Sequence, residues 1–362
     1  MKALTAGDRS LIEQGINAIK GRGIGHGASV QEVAVPEIAD NEVLVKVHSV
    51  ALNPTDYKHI DNISPAHSII GCDYAGEVAA VGNGPEASSR WKVGDRIAGV
   101  VHGGSYPDKG SFAEYLKVEA DLAARVPEGV SNHDAATYGV SAATAMQGVY
   151  HTLHVPWPDA STEEQAKAPP SILVYAGSTT ASLFAIQMAK HAGLRVVTTC
   201  SPHSFALVKR YGADAAFDYR SDTALADIKK AFPDLTCAFD GISEGGSQTF
   251  CAEAMGPNGG AVIALLKPEK TSIPHVQIIG TLAYTLMGQP FQWFAPLGPK
   301  FEAKPDDRAA LARFYALLPS LTSWLKAPPT QLVPGGFDGL LPGLDMLRKG
   351  KVSGRKLVVD LA

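Results

Sequence analysis

The 362-residue chain reads as an α/β protein built from two kinds of sheet. Three observations predict this. The front half alternates short apolar strands with turns marked by Gly and Pro. Residues Ser171 to Arg220 then run strand, turn, helix, strand, helix, strand, the order of a parallel sheet with crossover helices. The tail ends in RKLVVDL, an apolar strand that returns to the first part.

Glu42 to Leu52 (EVLVKVHSVAL) alternates apolar and polar positions, as a half-buried strand does. Pro54 ends it, and Thr55 to Lys58 open a turn or short helix. Ile69 to Gly82 (IIGCDYAGEVAAVG), Trp91 to Val100 (WKVGDRIAGV) and Phe112 to Val118 (FAEYLKV) supply further strands of a mainly β front. After about Val130 the texture changes. Ala135 to Leu153 is rich in small residues and helix-compatible, and Val155 to Ser171 is a Pro-rich polar insertion that reads as an exposed loop.

Ile172 to Tyr175 is a buried strand that enters a small-residue turn, Ala176 to Ser182, and then an apolar-faced helix. LRVVTTC and AAFDY are the next two strands, with SFALVKRYGA as the helix between them. CAFDGI (Cys237 to Ile242) and GGAVIAL (Gly259 to Leu265) extend the sheet. In the tail, Phe314 to Ala327 reads as a helix interrupted at Pro319, and the segment from Phe337 as a short helix with a glycine exit.

Composition narrows the function. With 32 Lys and Arg against 36 Asp and Glu, the formal charge is -4, which gives no support to nucleic-acid or anionic-membrane binding. Cys72, Cys200, Cys237 and Cys251 form no C-x-x-C pair, so neither a disulfide scaffold nor a cysteine-rich zinc site is described. The first residues carry no basic stretch leading into an apolar run, and no segment offers 18 uninterrupted apolar residues. The expectation is a soluble, cytoplasmic protein.

The turn Gly177-Ser178-Thr179-Thr180-Ala181-Ser182 lies where a strand meets a helix. Backbone N–H groups and hydroxyls there suit a pyrophosphate, aided by the helix N-terminus. The strict G-x-G-x-x-G spelling is absent, so an ordinary small-residue turn stays open. The second strand discriminates further. Its end reads Thr199-Cys200-Ser201-Pro202-His203-Ser204, with Lys209 and Arg210 following and no Asp or Glu to take a ribose 2′-hydroxyl. That favours NADP over NAD, because no carboxylate repels a 2′-phosphate.

The β-rich front, the turn Asn53-Pro54-Thr55-Asp56, GCDYAGEVAAVG, the VGDR turn and the βαβ half, in this order, resemble the medium-chain dehydrogenase/reductase superfamily nearly end to end. Asn53 to Lys58, Tyr175 to Thr180, Thr199 to His203, Phe217 to Arg220 and the Pro-rich insertion look particularly like the zinc-free, trans-acting enoyl reductases of fungal highly reducing polyketide synthases. The resemblance implies a GroES-like catalytic domain (1–135 with 300–362) and a Rossmann-type NADP-binding domain (136–299). It also implies NADPH as cofactor, an enoyl thioester on an acyl carrier as substrate, a polyketide synthase or polyketide–peptide synthetase hybrid as partner, and a monomer.

By resemblance, Thr55, Asp56, Tyr57 and Lys58 approach the cofactor from the catalytic side. Ser178, Thr179, Thr180 and Ala181 surround its phosphates, while Ser201, Pro202, His203 and Ser204, with Tyr219, take its adenosine end. Leu265 and Leu266 border the nicotinamide, and Val352 and Ser353 close over it. Ala142, Ala143, Thr144, Ala145, Met146, Gln147, Gly148 and Val149, with Tyr284, Thr285, Leu286, Met287 and Gly288, shape the acyl pocket. Lys58 is the leading catalytic candidate, followed by Tyr57 and Thr144. The run Ala142 to Met146 equally suits helix packing, and Lys58 equally suits solvent. In relatives the stretch Thr281 to Phe294 forms an edge strand, a pattern that Gly288 to Pro290 interrupts here.

Where the superfamily's alcohol dehydrogenases place a zinc-binding Cys and His, this chain has Asn53 and Cys72, so no metal is expected. Cys72 and Asp73 read as structural, and His59, His67 and His102 are weak candidates for a catalytic acid. A quinone or small-enone reductase, or a noncatalytic NADP-binding docking subunit, are the alternative readings.

Overall fold

The computed structural model describes residues 1–8, 27–165 and 169–361. Its strands are β1 (Lys2–Ala6), β2 (Ala28–Glu32), β3 (Glu42–Ala51), β4 (Asp73–Val81), β5 (Arg96–Val100), β6 (Tyr115–Glu119), β7 (Ala123–Arg125), β8 (Ser171–Tyr175), β9 (Arg195–Thr199), β10 (Ala215–Phe217), β11 (Cys237–Asp240), β12 (Gly260–Ala264), β13 (Val276–Gly280), β14 (Phe291–Gln292), β15 (Lys300–Phe301), β16 (Thr330–Leu332) and β17 (Lys356–Asp360).

Two large sheets organise the described residues. The first runs β16-β17-β3-β4-β5-β7, with β6 paired to β3. Its long strand β3 alternates as its sequence predicts, with Val43, Val45, Val47 and Val50 in the core. The tail strand β17 pairs antiparallel with the end of β3, Val359 opposite Val50. Chain ends more than 300 residues apart thus share one sheet.

The second sheet runs β10-β9-β8-β11-β12-β13, and every pair in it is parallel. In chain order this is 3-2-1-4-5-6, the doubly wound order whose direction reverses between β8 and β11. The central strands are apolar on both faces: Ile172, Leu173 and Val174 of β8 and Ala238 and Phe239 of β11 have no exposed surface. The crevice at the carboxyl ends of β8 and β11 is therefore where a ligand would sit.

Two expectations are corrected. Helix Pro305–Leu321 starts nine residues before Phe314 and runs through Pro319. Proline there forfeits the N–H bond to the Tyr315 carbonyl, a loss outweighed by Leu311, Phe314, Tyr315 and Leu318 burying the helix face. After β13, Ala283–Met287 is a 3-10 helix whose residues Tyr284 to Met287 are buried. The Pro-rich insertion is not wholly exposed. Val155 is buried, Trp157 packs on Tyr150 at 5.1 Å, and Arg313 lies over the Trp157 ring at 4.4 Å. Among the described residues, no helix is long and apolar enough to cross a membrane.

Candidate functional site

The crevice is shaped by close backbone approach. Gly177 follows β8, and a Cβ there would overlap the Thr198 hydroxyl. A Cβ at Gly241, just past β11, would overlap the Ser182 hydroxyl. Helix Thr180–His191 begins between them, capped by Thr179, whose hydroxyl accepts from the Ser182 N–H at 3.3 Å. The first N–H groups of that helix have no intrahelical acceptor and face the crevice with the positive end of the helix dipole.

Apart from Thr55 to Lys58, the residues expected at the cofactor follow the carboxyl ends of β8, β9, β10 and β12 or lie on the tail before β17. Ser178, Thr179, Thr180 and Ala181 are half-buried, as are Ser201, Leu265 and Val352; Pro202, His203, Tyr219, Leu266 and Ser353 are exposed. The loop after β9 and the returning tail meet, with His203 Nε2 3.5 Å from Ser353 Oγ. Ser204 is the exception, buried at 3%. Tyr219 offers a flat face at the crevice rim, with the Arg220 guanidinium 5.4 Å from its ring centre.

On the catalytic side, helix Pro54–Lys58 presents Lys58 across the crevice to Glu244, at 3.1 Å. Tyr57 is half-buried under the Arg348 guanidinium. Asp56 points inward instead. It is 1% exposed, and its Oδ2 accepts the Asn53 backbone N–H at 2.7 Å. Burial, then the nearby Asp73 charge, raise its carboxyl to about 7.

Asp56 belongs to a buried polar cluster whose centre is Lys356, which sequence reading passed over. The Lys356 ammonium donates to Asn53 Oδ1, to Asp73 Oδ2 at 3.0 Å and to Ser141 Oγ at 3.1 Å. Asp73 also accepts from the Asn53 amide at 2.9 Å and from the Val140 N–H at 2.5 Å, which starts helix Val140–Met146. Ser141 in turn meets Thr180 at 2.8 Å between hydroxyl oxygens.

The second cluster is aromatic. Tyr284 stacks on His102 with ring centres 4.1 Å apart and meets His59 edge-on at 5.2 Å. Its hydroxyl lies 2.6 Å from Thr55 Oγ1. His59 Nδ1 is 3.0 Å from the Thr55 carbonyl, so the neutral ring donates there and its Nε2 is an acceptor. Burial holds His59 down to about 4; burial and then the positive charges of His59 and Lys109 hold His102 down to about 3. His59 Nε2 and Trp293 Nε1 are buried without a hydrogen-bond partner.

The residues expected at the acyl pocket divide. Ala142, Ala143, Ala145, Met146 and Val149 have no exposed surface and belong to the main core. Gly148 lies against the Phe239 ring, and Thr144 is 8% exposed. Gln147 and Thr285 both donate to Asp307, which is also 3.0 Å from His151 Nε2. Leu286 is buried in the same core and Met287 is 9% exposed. Gly288 holds a left-handed φ of 71° against the Arg308 side chain, a conformation that suits glycine. Of this set, Tyr284 reaches helix Pro54–Lys58.

Comparison with known proteins agrees with this architecture. Residues 39–128 match the alcohol dehydrogenase GroES-like domain, and residues 182–288 match the zinc-binding dehydrogenase family. The chain is 44% identical over 267 residues to the trans-enoyl reductase TOXD of Cochliobolus carbonum, covering 72% of this chain and 87% of that one. It is 38% identical over 350 residues to the trans-enoyl reductase resD of Aspergillus sclerotiorum, covering 92% and 97%. The chain belongs to the trans-enoyl reductase family of medium-chain dehydrogenase/reductases. Similar solved folds include a Pseudomonas syringae quinone oxidoreductase (TM-score 0.74, 16% identity, 99% of each chain) and the CurK enoyl reductase (TM-score 0.73, 18% identity, 99% of each chain).

For this trans-enoyl reductase family member, the residues at the superfamily's catalytic zinc position do not fit a zinc ion. Asn53 offers an amide whose oxygen is already taken by the Lys356 ammonium, a cation that would repel a metal. Cys72 is a buried thiol pushed well above its usual range, first by burial and then by Asp56 and Asp73. Among the described residues, no three His, Cys, Asp or Glu side chains cluster as a metal site.

Proposed function

We propose that this protein is a trans-acting enoyl reductase that uses NADPH to saturate α,β-unsaturated polyketide thioesters carried by a partner synthase. The observation that carries the reading is the crevice at the β8/β11 reversal. It joins a capped helix N-terminus to a β9 loop without a carboxylate, and Lys58 faces it from the other sheet. The names of the relatives support the substrate class.

The residues fit the cofactor. Ser178 to Ala181 would hold its pyrophosphate, Ser201 to His203 and Tyr219 its adenosine phosphate end, and Val352 and Ser353 would cover it. Bound NADPH supplies the hydride for the β-carbon of the substrate. The chain's own part is to place the enoyl group in a water-poor cleft and to donate hydrogen bonds to the thioester oxygen as negative charge develops on it. Lys58, which would exchange its Glu244 partner for cofactor or substrate, is the proposed polar residue there, with Tyr57 and Thr144 behind it. In this reading 1–135 with 300–362 form the catalytic domain and 136–299 the cofactor domain, and the protein acts as a cytoplasmic monomer beside its synthase.

The test is oxidation of NADPH, with NADH in parallel, on an enoyl thioester of pantetheine or of an acyl carrier protein, with product mass and a chelator control. NADPH-selective addition of two hydrogens, unaffected by chelation, is the expected result. Tight NADPH binding with no reduction of any thioester, but turnover of a free enone, would replace this reading with a small-enone reductase.

A further inference from the structure

The Lys356 ammonium has three N–H donors and no acceptor, and three acceptors surround it: Asn53 Oδ1, Asp73 Oδ2 and Ser141 Oγ. Lysine and aspartate are 3% and 0% exposed, so water does not compete for these contacts. Ser141 must therefore accept from Lys356. Ser141 is 3% exposed and the Thr180 hydroxyl, 2.8 Å away, is the one acceptor its own proton has among the described side-chain hydrogen bonds, so Ser141 donates and Thr180 Oγ1 accepts. Thr180 is the first residue of helix Thr180–His191 and has no other side-chain partner among the described residues. Its own proton has no acceptor among the described side-chain hydrogen bonds and is available to a ligand.

We infer that Lys356 is a positioning residue for nucleotide binding. It fixes the direction of the hydroxyl chain Lys356 to Ser141 to Thr180, so that the Thr180 hydroxyl is held as a donor toward a cofactor phosphate. The same ammonium holds Asn53, the residue before the helix that carries Tyr57 and Lys58, so one buried charge sets both sides of the crevice. A hydroxyl with a fixed direction gives an anion a donor that needs no reorientation on binding. The inference rests on the reading of the crevice as an NADPH site.

The test measures NADPH dissociation constants by fluorescence for the full chain and for Ser141→Ala, Thr180→Val, the double variant and Ser141→Thr. Replacing Lys356 itself strands Asp73 and endangers folding, so Ser141 is the informative position. A hydrogen bond to a charged group predicts weakening of about tenfold for each single variant. The double variant should be no weaker than Thr180→Val, because the serine acts only through the threonine. Ser141→Thr, which keeps the hydroxyl, should bind and melt as the parent does, whereas Ser141→Ala and the double variant, which leave one ammonium donor unpaired, should melt lower and are assayed at a temperature where they remain folded. Unchanged affinity in Ser141→Ala, or single effects that multiply in the double variant, overturns the inference while leaving the cofactor site intact. A parent chain with no affinity for NADPH overturns the cofactor reading and the inference together.

Discussion

Two buried polar clusters flank helix Pro54–Lys58, one built around a charge and the other around neutral rings. Around Lys356 on β17 every ammonium donor has an acceptor, from β4, the start of helix Pro54–Lys58 and helix Val140–Met146, and the raised carboxyl of Asp56 keeps one oxygen without a partner. Around Tyr284 the groups are neutral rings, and His59 Nε2 and Trp293 Nε1 keep unused hydrogen-bonding capacity. A charge out of water is tolerable only when fully paired, whereas neutral imidazole and indole groups can wait for a partner at lower cost. The ionic cluster is thus suited to hold geometry, and the aromatic cluster to receive a polar group.

Four measurements sharpen that contrast. The largest effect is expected on stability for Lys356→Met, which leaves Asp73 buried with its charge uncompensated. Loss of one partner of a buried pair costs about 3–5 kcal/mol, read as a lower denaturant midpoint with unchanged slope. If the midpoint stays within error of the parent, the cluster is not a buried ion pair.

Next comes the pH dependence of melting. His59 and His102 are held neutral, at about 4 and about 3, so the folded chain binds fewer protons than the unfolded chain from pH 6.5 downward. Their stabilisation is complete above pH 6.5 and is lost as pH falls through those values. Asp56, raised to about 7, has the opposite sign: its contribution is complete below about 3.8 and is lost as pH rises toward 7. His102→Gln should therefore flatten the rise in melting temperature between pH 4 and 6.5, and Asp56→Asn should steepen it. Equal slopes in all three proteins would remove the contrast.

Tyr284→Phe is expected to cost about 1 kcal/mol of stability, the value of one ordinary hydrogen bond. It should lower enoyl turnover while NADPH affinity stays unchanged, because the hydroxyl serves the Thr55 side of the cleft. A loss of NADPH affinity instead would assign Tyr284 to the other cluster's task. The smallest effect is that of Glu244→Gln. The Lys58 to Glu244 pair is largely exposed, at 37% and 61%, so its removal should change stability by less than about 1 kcal/mol in thermal melts.

Much of this architecture was legible beforehand. The alternation in Glu42 to Leu52, the apolar run Ile172 to Tyr175 and the small-residue turn after it each depend on neighbours within one strand or turn, and local pattern suffices for those. The position of Ser178 to Ala181 at the start of a helix after β8 follows from the same turn chemistry, whereas Lys58 was singled out by family resemblance alone. Pro319 misled because a proline penalty is local, while the burial of Phe314 and Tyr315 that outweighs it is not.

Lys356 was illegible for a different reason. Beside Arg355 and after a glycine, it has the sequence of a solvated strand end. Its burial requires β17 to pair with β3, which places it beside Asn53, 303 positions away. His59 and Tyr284, 225 positions apart, meet in the same way, and no spacing rule links them.

By itself, then, the order of residues determined the two sheets, the phosphate-suited turn and the absence of a carboxylate after β9, because backbone geometry and hydrophobic period act over a few residues. Tertiary structure alone decided which polar groups are taken from water and which partner each one meets. Desolvation and hydrogen-bond pairing are properties of the assembled interior.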